Sequence, residues 1–215
     1  MKNMRSILIF RVCKYLTLIS LFSASLAWGT VAWSTTDFIP LSGYRLSGDF
    51  EDTITGNTVS VDESNSAGFI INIDDKPGSA YEFLYSKQSS KLKSGISVPS
   101  NEQLDMDIEY FHMGGILLKP INPHTHSFFG AGIGITHFSP GPSGFSSESE
   151  LSFSLTGGYK YTLSKYFGLR LDLRAYGTLV DSNTAIFCGD GSCSIRFRSD
   201  LFTQFEANAG LIIRF

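Results

Sequence analysis

The sequence predicts an all-β protein, an eight-stranded antiparallel up-and-down transmembrane β-barrel preceded by a cleavable signal peptide. Three observations predict it. Apolar and polar residues alternate with a period of two, the connections between alternating segments are short and long in strict turn, and the first residues have the layout of an export signal. The 215 residues suit one domain, and 17% charged side chains, 13% aromatics and 21 glycines suit a β-rich surface that meets something less polar than water. A net charge of −3 with no basic stripe argues against nucleic acid as a partner.

The first element is the export signal. "MKNMRSILIFRVCK" carries Lys2, Arg5, Arg11 and Lys14, the apolar run "YLTLISLFSASLA" follows, and Ser25 and Ala27 supply the small residues of a cleavage site. Cleavage is expected after Ala27, with Ala32 as second choice, dividing the chain into a signal peptide (1–27) and a barrel domain (28–215). Continued through "WGTVAW", the run nears the roughly 20 residues of a spanning anchor, but the small-residue site and the turn-like "STTDF" favour cleavage. Removal leaves 13 basic residues against 20 acidic ones, a net of −7. It also removes Cys13 and leaves Cys188 and Cys193 in "CGDGSC", which in an exported chain reads as a disulfide pinning a loop tip rather than a zinc or redox motif.

Eight strands follow, at about 38–50, 67–74, 79–87, 104–119, 127–138, 149–162, 166–179 and 199–215. In "LSFSLTGGYKY", Leu151, Phe153, Leu155, Tyr159 and Tyr161 share one parity, and in "FGLRLDLRAYGTL" Phe167, Leu169, Leu171 and Leu173 alternate with Arg170, Asp172 and Arg174. "DDKPG", "KPINPHTH" and "LSK" are the short connections; the long ones span roughly 51–66, 88–103, 139–148 and 180–198. A lipocalin-like barrel or a sandwich has a similar strand count. Ionisable residues crowding one parity, aromatics at strand ends and strands near 16 residues favour the membrane barrel. Phe38, Tyr81, Phe129, Tyr161, Phe167 and Phe215 would form a girdle at the short-turn end, with Phe50, Phe153 and Phe205 nearer the other.

Signal peptide, eight alternating strands, four long loops and the terminal "AGLIIRF" together resemble the small outer-membrane β-barrel proteins of Gram-negative bacteria, of the opacity, OmpX, OmpA-barrel and OmpW types. The resemblance spans the mature chain and lies in architecture rather than in catalytic motifs. It implies that Leu211, Ile213 and Phe215 form the strand signal read by the barrel-assembly machinery, with periplasmic chaperones in transit. It also implies contact with outer-membrane lipid and lipopolysaccharide, loops on the cell surface and a monomeric state, and it identifies no extracellular ligand. Phe205, Ala207, Ala209, Leu211, Ile213 and Phe215 are expected toward lipid, with Glu206, Asn208 and Arg214 inward or at the interface.

On the inferred lumen parity, Glu82, Asp105, Asp107 and Glu109 form an acidic wall facing Arg45, Lys160, Arg170, Asp172, Arg174 and Glu206, a mostly basic one. An eight-stranded barrel has an interior that side chains fill, so these ten residues read as an ion-paired plug, with a narrow ion-selective pore as the other reading. Gly130, Gly132 and Gly134 share the lumen parity and make room for long side chains opposite; no helix follows them, as a nucleotide loop would need. "PHTHS" offers His124, His126 and Ser127 in a turn with no acid to orient a histidine, and His112 and His137 are too far apart in register to form a site. The loops are rich in Ser, Gly, Asn and Thr, and "TITGNTVSV" would extend the first hairpin. Together these readings point to a non-catalytic surface or structural protein without cofactor or metal. A porin-like channel for small or apolar solutes is the alternative, and a lipid A acyl-modifying enzyme a more distant one.

Overall fold

Alternation along the chain becomes alternation across a wall. The computed structural model describes residues 35–47, 49–51, 58–93, 104–141, 147–180, 185–189, 192–196 and 201–215, with side chains described for 35–46, 61–91, 105–141, 147–180 and 201–215. The expected signal peptide and Ala32 lie outside the described residues. The strands are β1 (Thr36–Ser47), β2 (Asp49–Glu51), β3 (Thr58–Val61), β4 (Ser64–Lys76), β5 (Ser79–Lys93) and β6 (Leu104–Asn122). They continue as β7 (Thr125–Pro140), β8 (Glu148–Thr162), β9 (Phe167–Leu179), β10 (Ala185–Gly189), β11 (Ser192–Arg196) and β12 (Leu201–Arg214).

Eight of these, β1, β4 to β9 and β12, close into an antiparallel ring in which β12 returns to β1. Following the register from Leu46 through Phe205, Ala175, Leu155, Ala131, Gly115, Tyr81 and Ile73 returns to β1 at Thr36, ten residues from the start. That stagger tilts the strands and fixes a narrow lumen. Closure pairs the backbone around the whole circumference, which a wall in lipid requires.

All eight segments expected from alternation are present, several longer than expected because sheet pairing continues past the apolar stretch. β5 runs on to Lys93, and β2 pairs with β3, which also meets β5; residues 52–57, which include most of the expected "TITGNTVSV" turn, lie outside the described residues. A second small hairpin, β10–β11, lies within the last long connection. The short connections are tight: Pro77–Gly78, where Gly78 takes a φ of +86° that favours glycine, Pro123–His124, and Leu163–Tyr166.

Burial alternates residue by residue from Phe167 to Arg174 and from Leu201 to Asn208. The outward residues are large and apolar, among them Leu117, Phe129, Ile133, Leu151, Leu171 and Leu173, the last 70% exposed. A continuous band of this kind is far larger than the patches soluble proteins show, and it matches the apolar belt of a membrane barrel. Tyr81, Phe129, Tyr161, Phe167 and Phe215 are exposed at the short-turn side of the belt.

Three expected lumen residues are not in the lumen. Asp105, Asp107 and Glu109 share the outward parity of Phe111, Met113 and Leu117, while Met106, Ile108 and Tyr110 point in. The reason is depth. Beyond Phe111 the β6 wall rises past the belt, water replaces lipid outside, and polar residues become the outer ones. There Lys87 bonds Asp107 at 2.7 Å and stands 3.7 Å from Glu109, which accepts a hydrogen bond from the Tyr85 hydroxyl at 2.7 Å. Burial alone would raise the Asp107 carboxyl, but the hydrogen bond and charge of Lys87 hold it below the usual carboxylate range.

Register shifts next to the short turns, at Asp74–Lys76 and Pro120–Asn122, and one further joint is interrupted within the wall. β1 pairs with β4 without interruption from Thr36 to Arg45, but its ladder to β12 skips Ile39 and Pro40. Proline has no N–H, so one rung toward β12 is missing.

The belt generates a test. Leu173→Arg places a charge on the outer wall and is expected to reduce folding stability in lipid vesicles by about 2–4 kcal/mol if the site lies near the bilayer midplane. Denaturant titration of vesicle-refolded protein measures it; an unchanged midpoint would mean that this face meets water.

Candidate functional site

The candidate site is the lumen, and β9 gives its order. From the short-turn end, β9 turns Gly168, Arg170, Asp172, Arg174, Tyr176 and Thr178 inward, because every second residue of a strand shares a face. Each meets groups from other strands.

At the short-turn end Asp37 accepts from Arg214 Nε at 2.8 Å and from Lys160 Nζ at 3.3 Å, and Lys160 also donates to Asn72 at 3.2 Å. Above it, Glu82 accepts from Arg170 Nη1 at 2.8 Å, Arg174 Nη2 at 2.6 Å and Asn72 Nδ2 at 3.1 Å. Asp172 accepts from Arg170 Nε at 2.8 Å and from Asn208 at 3.1 Å. The Arg170 guanidinium lies 4.3 Å from the centre of the Phe128 ring. Next, Glu206 accepts from Arg45 Nη2 at 2.8 Å, from Ser86 at 3.0 Å and from the Tyr176 hydroxyl. Arg45 covers the Tyr110 and Tyr176 rings, which stack with centroids 3.9 Å apart.

Higher still, Tyr110 donates to Gln204 at 2.7 Å, Gln204 to Gln88 at 3.1 Å, and Thr136 meets Thr178 at 2.8 Å. The His112 ring is held by Ser154 at 2.9 Å and Ser152 at 2.8 Å. At the long-loop end the polar column stops beneath Val61, Met106, Ile108, Phe138, Val180 and Phe202, all buried.

Seven of the ten expected network residues therefore meet: Arg45, Glu82, Lys160, Arg170, Asp172, Arg174 and Glu206. Asp105, Asp107 and Glu109 do not. Four cations, Arg45, Lys160, Arg170 and Arg174, sit among four carboxylates, Asp37, Glu82, Asp172 and Glu206, with Arg214 at the rim. The acidic wall shrinks to Glu82, since Asp172 and Glu206 lie among the basic strands. The network also takes in Asp37, Asn72, Ser86, Gln88, Tyr110, His112, Tyr176 and Gln204, which the sequence reading left out of it. Asp37 and Gln88 lay just outside the expected strands; for the others the signal was the inward parity itself, which counting charges overlooked.

Leu211, Ile213 and Phe215 share the outward parity, and the Phe215 backbone exchanges hydrogen bonds with Thr36. Backbone register sets Cys188 opposite Cys193; their side chains lie outside the described residues. His124 and Ser127 are tied locally, to Asn122 and to the Lys119 carbonyl. Among the described residues no group of three or more His, Cys, Asp or Glu is placed to hold a metal ion.

No protein-family model matches the sequence, and a search of curated proteins finds no match. Among solved structures, Neisserial surface protein A is similar, with a TM-score of 0.54 at 11% identity over 84% of this chain and 97% of that one. The outer membrane protein OprG from Pseudomonas aeruginosa has a TM-score of 0.54 at 12% identity, covering 85% of this chain and 97% of that one. For the outer membrane protein AlkL the TM-score is 0.53 at 13% identity, covering 87% and 94%. These are small outer-membrane β-barrels, and the likeness establishes the fold.

Glu82 is the residue to remove. Glu82→Ala strands Arg170 and Arg174 and is expected to cost about 3–5 kcal/mol, the range for breaking a buried pair from one side. A double-mutant cycle with Arg174→Ala, followed by denaturant unfolding, measures the coupling; additive losses would mean that the pair does not act as a unit.

Proposed function

We propose that the chain is an integral outer-membrane protein with a non-catalytic role, a closed ion-paired barrel that presents long loops at the cell surface for structural or surface-interaction work. The observation that carries this reading is the filled lumen, in which each inward charge between Asp37 and Glu206 is bonded to another strand and the long-loop end is capped by apolar side chains. The apolar outer wall and the likeness to outer-membrane barrels support the location, with lipid and lipopolysaccharide against the belt. A rigid scaffold carrying variable loops is a common way to build a recognition surface. The β10–β11 register supports a Cys188–Cys193 disulfide there, since directly opposed residues of an antiparallel pair stand at about 4.5–5.5 Å between Cα atoms, within disulfide range. The His112–Ser154 pair faces the lumen, away from the lipid on which an acyl-modifying enzyme would act.

A second reading, passage of small apolar solutes sideways through the wall, is favoured by one observation. The missing rung at Pro40 has Ile39, Leu41, Ile70 and Ile212 behind it, an apolar lining at a weakened joint.

Planar-bilayer recording of the refolded protein is expected to show no steady conductance, and sustained single-channel steps would overturn the closed-barrel reading. Alkylation of the exported protein, read by intact mass, is expected to label neither cysteine until reductant is added. Labelling without reductant would exclude the disulfide.

A further inference from the structure

The short turns are not alike in charge. Asp74, Asp75 and Lys76 surround the β4–β5 turn, whereas no acidic residue occurs between Glu109 and Glu148 or between Glu150 and Asp172. Those two stretches run through the β6–β7 and β8–β9 turns and bring Lys119, His124, His126 and Lys165 to the rim. Their inward cations, Lys160 and Arg170, are already bonded in the lumen. Lys165, in the β8–β9 turn, stands 5.1 Å from the centre of the Tyr166 ring. Lys119 shares the outward parity of Leu117 and Ile121, and among the described residues it has no ion-pair partner. This sector of the rim is therefore basic in its side chains, at the level where the wall passes from lipid to water.

Beside Lys119 the outer wall is hollowed. Register places Lys119 opposite Ser127, and Ser127 opposite Tyr159. The Ser127 hydroxyl turns back to the Lys119 carbonyl at 3.3 Å, so a short side chain separates two long ones. From Ser127 and Tyr159 an apolar groove of about 960 Å³ passes Phe129, Gly157 and Leu173 and continues to Ala207. A Cβ at Gly157 would stand 3.7 Å from the Phe128 carbonyl oxygen and 3.8 Å from the Phe129 ring, which is ordinary contact, so packing does not demand glycine there. At Gly177, by contrast, the Phe153 ring occupies the space, 2.4 Å from where a Cβ would stand. A glycine inside a strand weakens it, and is used at bulges, at bends or where a ligand approaches closely. β8 keeps register with both neighbours through Gly157, so no bulge accounts for it, and the open groove favours the ligand.

We propose that this sector holds one anionic phospholipid of the short-turn leaflet, its phosphate between Lys119 and the Tyr159 hydroxyl, over Ser127, and an acyl chain along the groove across Gly157. Charge complementarity selects the head, because a phosphate accepts from an unpaired ammonium and a phenol at the lipid–water boundary at once. Lys165 on the next turn adds to the positive field and favours a lipid of net negative charge over a zwitterionic one. The groove selects the tail, since its lining is apolar and it opens on the belt. This rests on the outer-membrane reading and adds which lipid is held and where.

Native mass spectrometry of the folded protein in detergent, with phosphatidylglycerol added in steps, tests it. One bound phosphatidylglycerol is expected first, with phosphatidylethanolamine held several-fold more weakly. Lys119→Gln is expected to weaken phosphatidylglycerol about fivefold, and Gly157→Leu to weaken both lipids by filling the groove. Glycerol phosphate, which has the head without the chains, is expected not to bind at the same concentration. Equal affinity for the two lipids, unchanged binding in either variant, or glycerol phosphate bound as tightly as the lipid would each overturn the proposal. Folding of every variant is verified by the shift in gel mobility on heating; should Gly157→Leu lose that shift, Gly157→Ala serves, with the same expected direction. An unaltered protein that is soluble and shows no shift would instead sink the outer-membrane reading itself, whereas a shifting protein without lipid preference refutes the site alone.

Discussion

A ten-residue stagger around eight strands leaves an interior that must be filled by side chains, and those side chains must satisfy one another, because neither lipid nor bulk water can do so. Glu82 shows how tightly this constrains the design. It stands on β5, on the far side of the lumen from β9, and its two oxygens tie Arg170 and Arg174 across the barrel. Asn72 on the neighbouring strand joins the same oxygen and links downward to Lys160 and Asp37. The charges therefore form a lattice that cross-braces the ring rather than a row of local pairs. Such lattices add little stability over apolar packing, but breaking one member is expensive, which favours a single arrangement of the strands.

The period of two made the wall legible in the sequence, down to which residues of β9 and β12 face each way. Short and long connections told the two ends of the wall apart. Where the reading failed, at Asp105, Asp107 and Glu109, it assumed that polar residues mark the lumen along a whole strand. That holds only where lipid lies outside, and β6 outruns the lipid. The network was half visible for a related reason. Charged residues stand out in a sequence, whereas Tyr110, Tyr176, Gln88 and Gln204 look like ordinary strand residues until closure brings β5, β6, β9 and β12 around one axis. Parity assigns a face, but no pattern in one strand names its partner across the lumen.

The glycines illustrate the same economy of space. Gly134 and Gly130 were read as room-making, and a Cβ at Gly134 would stand 2.7 Å from the His112 ring, while one at Gly130 would stand 2.6 Å from the Ile116 side chain. The room is thus taken largely by neighbours on β6 rather than by long side chains from across the barrel. His112 can lie flat enough to reach both Ser152 and Ser154 because β7 offers no side chain there. A backbone feature on one strand sets the hydrogen bonding between its two neighbours.

The joint between β1 and β12 differs from the other seven in what it asks of the chain. Every other joint links strands that follow one another in the ring's sequence order, whereas this one brings together residues as remote as Phe38 and Ile213. Closing a segment more than tenfold longer than a hairpin loop costs about 2–3 kcal/mol more in chain entropy. Alignment of the intervening strands offsets that cost, because it already holds the two strands near one another. The missing rung at Pro40 falls in that joint. The gap thus lies between two ion pairs that cross the same joint, Asp37 with Arg214 and Arg45 with Glu206, so side chains clamp the wall on either side of the rung that the backbone lacks.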